Sequence, residues 1–165
     1  MEKQVSTQQS DIDDLDREIL SLIARDSRVS GAEIARQIGA NERTVVHRIN
    51  QLIERGAVSF IANINHELFG YTVLADIFCE VEGRRAEEIA EQIAELPEIR
   101  YVGISFGEKD LTLQAVTKTT AELYELVSKK IEGIPGIVRT NTVIVPKVVK
   151  DINAWIPAEI TDRDR

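Results

Sequence analysis

The sequence predicts an α+β chain: an N-terminal helix-turn-helix domain followed by a ferredoxin-like βαββαβ sandwich. Three observations predict it. The first third carries three short amphipathic helical patterns, the second and third joined by Gly39-Ala40-Asn41. The remainder alternates strand and helix patterns. Its two halves also repeat at a shift of 38 residues, which superposes Ile89, Ile93, Leu96, Pro97 and Ile99 on Val127, Ile131, Ile134, Pro135 and Ile137. The expected organisation is 1–56 helix-turn-helix, 57–70 linker strand, 71–150 sandwich and 151–165 tail.

The helices follow in order. Residues 13–25 place Leu15, Ile19, Leu22 and Ile23 on one stripe, with Asp13 or Asp14 as N-cap. Ser30 and Glu33 have capping-box spacing, Ile34, Ala35 and Ile38 form the apolar face of the second helix, and Gly39 stops it. Asn41 caps a third helix whose inner side is Val45, Ile49, Leu52 and Ile53 and whose outer side is Arg43, Thr44, His47, Arg48 and Gln51; Gly56 ends it. This spacing is that of a DNA-reading motif, whose second helix enters a major groove about 12 Å wide and needs donors and acceptors there. Arg bonds guanine bidentately, Gln pairs with adenine and Thr packs on a thymine methyl. Ser30 and the open N–H groups behind it suit a phosphate. The expected DNA contacts are therefore Ser30, Asn41, Arg43, Thr44, His47, Arg48 and Gln51.

An exposed Arg-bearing helix face is by itself most often only a solvated face. Charge favours the DNA reading here. The whole chain is acidic, net −8 with pI near 4.9, which argues against coating nucleic acid by bulk charge. Residues 25–55 nevertheless hold six Arg against four Asp/Glu, so the positive excess is local.

For the second domain, residues 57–65 (AVSFIANIN) are strand-like. In 71–82, Val73, Ala75, Ile77, Cys79 and Val81 alternate with Leu74, Asp76, Phe78 and Glu80. A helix over 85–96 ends at Pro97. Strands over 99–106 and 110–118 flank the Gly107-Glu108-Lys109 turn. A helix capped by Thr119 and Glu122 follows, and a last strand covers 137–149. Two helices cover one sheet face, so the other, with Leu74 and Phe78 or their opposites, is a partner surface. A twofold dimer covers it most simply and sets two reading helices about 34 Å apart for two half-sites.

With 43% hydrophobic and 29% charged residues the chain is an ordinary globular mix. One cysteine excludes an internal disulfide, and two histidines leave little for a metal. Neither cofactor nor metal is expected. No apolar run approaches the roughly 20 residues of a membrane span, and MEKQVSTQQSD lacks a signal-peptide core, so a cytoplasmic protein is expected. Cys79 reads as a small apolar filler. Asp76 is either a dimer-face polar contact or the mark of a sheet edge. Trp155, Ile156 and Pro157 suggest a docking segment onto a neighbouring subunit, ending in a frayed DRDR.

The stretches DLDREILSLIARDSRVSGAEIARQIG, RTVVHRINQLIERGAVSFIANINHELFG, SFGEKDLTL and PGIVRTNTVIV resemble the Lrp/AsnC ("feast/famine") transcription regulators, over residues 14 to about 149. The resemblance implies a DNA-binding N-terminal unit. It also implies a sandwich that dimerises, commonly builds octamers, and binds an amino acid or similar small effector between subunits. It carries effector contact onto Gly107 and Asp110 in the strand turn and onto Thr140 and Thr142 in the last strand. Asp110 suits an α-ammonium and the turn N–H groups a carboxylate. Many members have an aromatic residue before that Asp; here it is Lys109.

The siroheme decarboxylases, enzymes of the same fold, are the alternative. They carry a His-Asn-Tyr signature near the same turn, where this chain has Ile104-Ser105-Phe106-Gly107-Glu108-Lys109 and no histidine after His66. The chain has no P-loop, no Cys/His pair and no triad, so it is read as a non-enzyme. A third reading keeps the sandwich as a sensing or assembly module whose helical unit no longer binds DNA.

Overall fold

The computed structural model describes residues 12–161; the MEKQVSTQQSD segment and the final DRDR lie outside them. Two compact units emerge: residues 63–150, and residues 12–62 together with 151–161.

In the first unit, α1 (Asp14–Arg25), α2 (Gly31–Ile38) and α3 (Glu42–Glu54) pack through Ile19, Ile23, Ile34, Ala35, Val45 and Leu52, all buried. Local chemistry fixes each end. Asp13 caps α1 with a full capping box: its carboxylate accepts from the Asp16 N–H at 2.8 Å, and the Asp16 carboxylate accepts from the Asp13 N–H. Ser30 caps α2 by accepting from the Glu33 N–H at 3.2 Å. The expected return bond is replaced, because the Glu33 carboxylate turns to Arg36 and Gln37. Gly39 and Gly56 close α2 and α3 in the left-handed region, at φ +68° and +70°. Gly31 has a role that spacing does not reveal: a Cβ there would lie 2.7 Å from Val46 Cγ2, so glycine permits the close approach of α2 to α3.

The second unit is a four-stranded antiparallel sheet of β1 (Val73–Val81), β2 (Ile99–Ile104), β3 (Leu111–Thr117) and β4 (Ile137–Ile144), in the order β2-β3-β1-β4. Helices α4 (Ala86–Ala94) and α5 (Thr120–Glu125) cover one face, burying Ala75, Ile77 and Cys79 of β1 and Leu111, Leu113 and Ala115 of β3. This is the expected βαββαβ sandwich. The 38-residue repeat extends to single hydrogen bonds. Leu96 N–H donates to Ile93 O and Ile99 N–H to Leu96 O; Ile134 N–H donates to Ile131 O and Ile137 N–H to Ile134 O. Both helices thus leave through the same turn into the next strand. The halves differ in one respect, since α5 continues as a π-helical turn over Leu126–Ile131, with Glu132 N–H bonded to Val127 O. Thr119 caps α5, but the Glu122 carboxylate reaches the Lys118 N–H instead of the cap's own.

Three boundaries need correction. Residues 57–65 form no strand, because a strand needs a ladder partner and the single chain offers none; His66–Phe69 is a 3₁₀ turn. Phe60, Ile61, Ile64, Leu68 and Phe69 of this stretch are exposed. Strand β4 stops at Ile144 and not at 149, since Pro146 lacks the N–H that pairing requires. The C-terminal segment is no separate tail. Its short helix α6 (Ala158–Thr161) packs against α1 of the same chain, where a neighbouring subunit had been expected.

Candidate nucleic-acid interface and effector region

The third helix sorts its side chains by angle, at about 100° per residue. Val45 and Leu52 are buried, while Arg43, Thr44, His47 and Gln51 are exposed on the opposite arc. The Arg43 guanidinium has no partner among the described residues. Asn41 accepts from the Arg43 N–H at 2.9 Å, and Asn41, Glu42, Arg43 and Val46 line a shallow depression at the helix start. Ser30 sits exposed at the head of α2, its hydroxyl oxygen already engaged as the cap.

Arg48 departs from the expectation. It lies about 140° from Arg43 but only about 40° from Leu52, at the margin of the packed face. Its Nη1 is 2.8 Å from Asp13 Oδ2 and 3.3 Å from Asp16 Oδ1, and Asp16 is only 1% exposed. Arg48 therefore ties α3 to the start of α1, its charge engaged by two carboxylates. A chain-distant pair of this kind has no local periodicity to announce it; the nearest signal was Asp16, a charge at a position the α1 stripe buries.

Electrostatics follow from these pairs. The Asp16 backbone N–H, and after it Arg48, holds the Asp13 carboxyl below the usual carboxylate range. Arg36 and Gln37 bring Glu33 from its ordinary 4.5 to about 2. Both carboxyls are depressed in the folded state, so their stabilisation is complete above the unfolded pKa and is lost as pH falls through the folded one. The helical unit is accordingly expected to lose stability progressively from about pH 4.5 down to about 2. Urea midpoints measured across that window check it, and Glu33→Gln should flatten part of the slope.

At the effector region, the Asp110 carboxylate is already in use. Its Oδ2 accepts from the Val81 N–H at 2.8 Å, while its own N–H donates to Cys79 O at 2.9 Å. Lys109 is paired with Glu80. Gly107 has φ +150°, in the range that favours glycine. Thr140 and Thr142 stand opposite Cys79 and Ile77, hence on the helix-side face; Thr140 Oγ1 donates to Glu132 Oε1 at 2.6 Å and Thr142 is exposed. Asp110 and Thr140 flank Cys79 from its two sides, about 10 Å apart by strand spacing. Asp110 and Thr140 thus lie toward one end of β1 while Thr142 stands opposite its middle residue, Ile77, and the four residues do not surround a single point. Cys79 is fully buried, and burial, then the Glu132 charge, pushes its thiol up to about 11, which suits an inert filler.

The helix-free sheet face carries Leu74, Phe78, Tyr101, Val116 and Val143. Two polar pairs on it are internal: Gln114 donates to Asp76 at 2.9 Å, and Ser105 bonds Thr112 at 2.8 Å. Asp76 is therefore an internal hydrogen-bond partner on an interior strand, with β3 on one side and β4 on the other, and not the mark of a sheet edge. Among the described residues no group of three or more His, Cys, Asp or Glu could hold a metal, and no helix is long and apolar enough to cross a membrane.

Comparison with known proteins matches both units. Residues 12–59 fit the winged helix-turn-helix DNA-binding model, and residues 72–155 the Lrp/AsnC ligand binding domain. An uncharacterised HTH-type transcriptional regulator of Pyrococcus horikoshii is 36% identical over 141 residues, 85% of this chain and 89% of its own. The HTH-type transcriptional regulator FL11 of Pyrococcus furiosus is 34% identical over 143 residues, 85% of this chain and 93% of its own. Among solved structures, AsnC of E. coli superposes with a TM-score of 0.78 at 23% identity, covering 86% of this chain and 98% of that one. The Neisseria meningitidis regulator NMB0573, solved as a complex with L-Met, superposes with a TM-score of 0.80 at 21% identity, covering 88% and 96%. These relatives are regulators, which leaves the decarboxylase alternative without support. A helix-turn-helix unit joined to this sandwich, and relatives of this kind along most of its length, make the chain a non-enzymatic transcriptional regulator belonging to the Lrp/AsnC family.

Proposed function

We propose that the chain reads duplex DNA as a homodimer or a larger assembly of dimers, through Arg43, Thr44, His47 and Gln51 of α3, with Ser30 and Asn41 at the helix starts meeting phosphates. The observation that carries this reading is the exposed polar arc of α3 with its unpartnered Arg43, set on a face whose opposite side is packed. Arg48 is withdrawn from the contact set because its charge is committed to Asp13 and Asp16.

The second part of the proposal is a small effector, an amino acid, held by the sandwich near Gly107, Asp110, Thr140 and Thr142. Supporting it are the ligand-binding family model and a fold neighbour solved with L-Met. The spread of the four residues, which surround no single point within one chain, suits a site completed by a second copy. Asp110 offers it only the carboxylate oxygen that Val81 does not use. The effector acts through linkage, by preferring one arrangement of the reading units over another.

Selection of bound fragments from random DNA, with and without pooled amino acids, supplies the operator and tests the effector. On that operator, Arg43→Ala should weaken binding by about tenfold or more, one lost charged contact of about 1–3 kcal/mol, and flatten the salt dependence. Its thermal midpoint should stay where it is. Unchanged affinity at several salt concentrations would remove α3 from the interface.

A further inference from the structure

We propose that the cleft between α1 and the C-terminal segment binds a small amphipathic monocarboxylate, a site separate from the sandwich effector region and independent of that reading. The cleft has a volume of about 600 Å³ and belongs wholly to the helical unit. That volume lies in the usual range for small-molecule sites, about 300–1,000 Å³. One wall is α1, with Leu20 and Arg17; the other is the returning chain, with Trp155 and Ile160; Val58 closes one side. The floor reaches Ile23, a member of the helical core, so an occupant would touch the packing that holds the three helices together.

The lining is apolar apart from Arg17 and Glu159. Hydrocarbon or aryl surface therefore recovers burial energy in this cleft. Arg17 supplies the charge preference. Its guanidinium bonds Asp14 at 3.1 Å, three residues away, with Asp14 largely in water. Such an exposed, solvent-screened pair contributes little, so it yields readily to a ligand carboxylate held against an apolar wall. Glu159, at the start of α6, limits the ligand to one negative charge, since a dianion would meet it.

The placement ties occupancy to DNA reading. The N-cap Asp13 and Asp16 of the first turn of α1 grip Arg48 of α3. A ligand wedged against the next turns of α1 acts on the helix that orients the reading helix. Saturation is expected to change operator affinity by about fivefold or more.

Trp155 is the only tryptophan of the chain and stands in the cleft wall, so tryptophan emission, excited beyond the tyrosine absorption, places the probe at this site. Titrations with octanoate, octanol and leucine decide the matter. Octanoate should give a saturable change, with octanol binding at least about tenfold more weakly for want of the charge-assisted bond. Arg17→Gln should reduce octanoate to the octanol level, and Glu159→Gln should tighten it. Ala24→Phe, which fills the cleft from an exposed position, should abolish the response while leaving the circular dichroism spectrum unchanged. A flat titration, or one indifferent to Ala24→Phe, overturns the site. Leucine binding better than octanoate, with Glu159→Gln weakening it, overturns the monocarboxylate assignment.

Discussion

Replacing Arg48 with alanine should destabilise the helical unit by about 3 kcal/mol and leave the sandwich untouched. Asp16 is the reason. Its side chain is 1% exposed, and the Arg48 guanidinium at 3.3 Å is its only cationic partner among the ion pairs of the described residues. Removing one member of a buried pair costs roughly 3–5 kcal/mol, because the other charge stays desolvated. Arg48 is itself 32% exposed, which places the cost at the low end. The double replacement Arg48→Leu with Asp16→Leu should recover much of the loss, since well-packed apolar residues often replace such pairs at no net cost. Hydrogen exchange separates this from a lost DNA contact. Amides of α1 to α3 should lose protection in Arg48→Ala while those of β1 and β3 keep theirs. Unchanged protection with lost operator affinity would return Arg48 to the DNA face.

Arg48 also shows where reading from sequence stopped. The starts of α1, α2 and α3 were legible to within a residue, because caps are local: Asp13, Ser30 and Asn41 each bond an N–H two or three residues on. The sandwich was legible for a different reason. Its repeat and its period-2 alternation are properties of the pattern, and hydrogen bonds at Leu96 and Ile134 reproduce the repeat. What failed depends on partners distant in sequence. Arg48 belongs to Asp16, 32 residues away; Asp110 is claimed by Val81 N–H, 29 residues away; the segment from 151 packs on α1. The strand expected over 57–65 failed likewise, since strand-like composition predicts a pleat but not the neighbour that must pair with it. Gly31 hid its function because a glycine at a helix start reads as punctuation, whereas here it accommodates Val46.

The largest expected effect on function comes from the sheet face without helices. Phe78→Glu should convert the assembly to monomers and weaken operator binding by about 10²–10⁴-fold, the avidity lost when two reading units are no longer joined. Phe78 lies mid-strand on β1 between Thr112 of β3 and Asn141 of β4. The surrounding face suits burial against a copy of itself in part because four of its polar groups already satisfy one another: Asp76 with Gln114, Ser105 with Thr112. Hydrogen bonds completed within one chain are not forfeited when water is excluded, so these four groups add little to the desolvation cost of closing the interface. Tyr101, Val116 and Val143 then contribute apolar area, while Leu74 is already buried within the chain. A glutamate at position 78 reverses this balance. It carries an unpaired carboxylate into the contact, beside Asp76 and Glu80 on the same strand face, and twofold symmetry brings in a second copy of the same charge. Sedimentation at micromolar concentration should show the monomer, and Arg43→Ala in the same background should then have little binding left to remove. An unaltered assembly would assign the oligomer to another surface and free this face from the role argued for it.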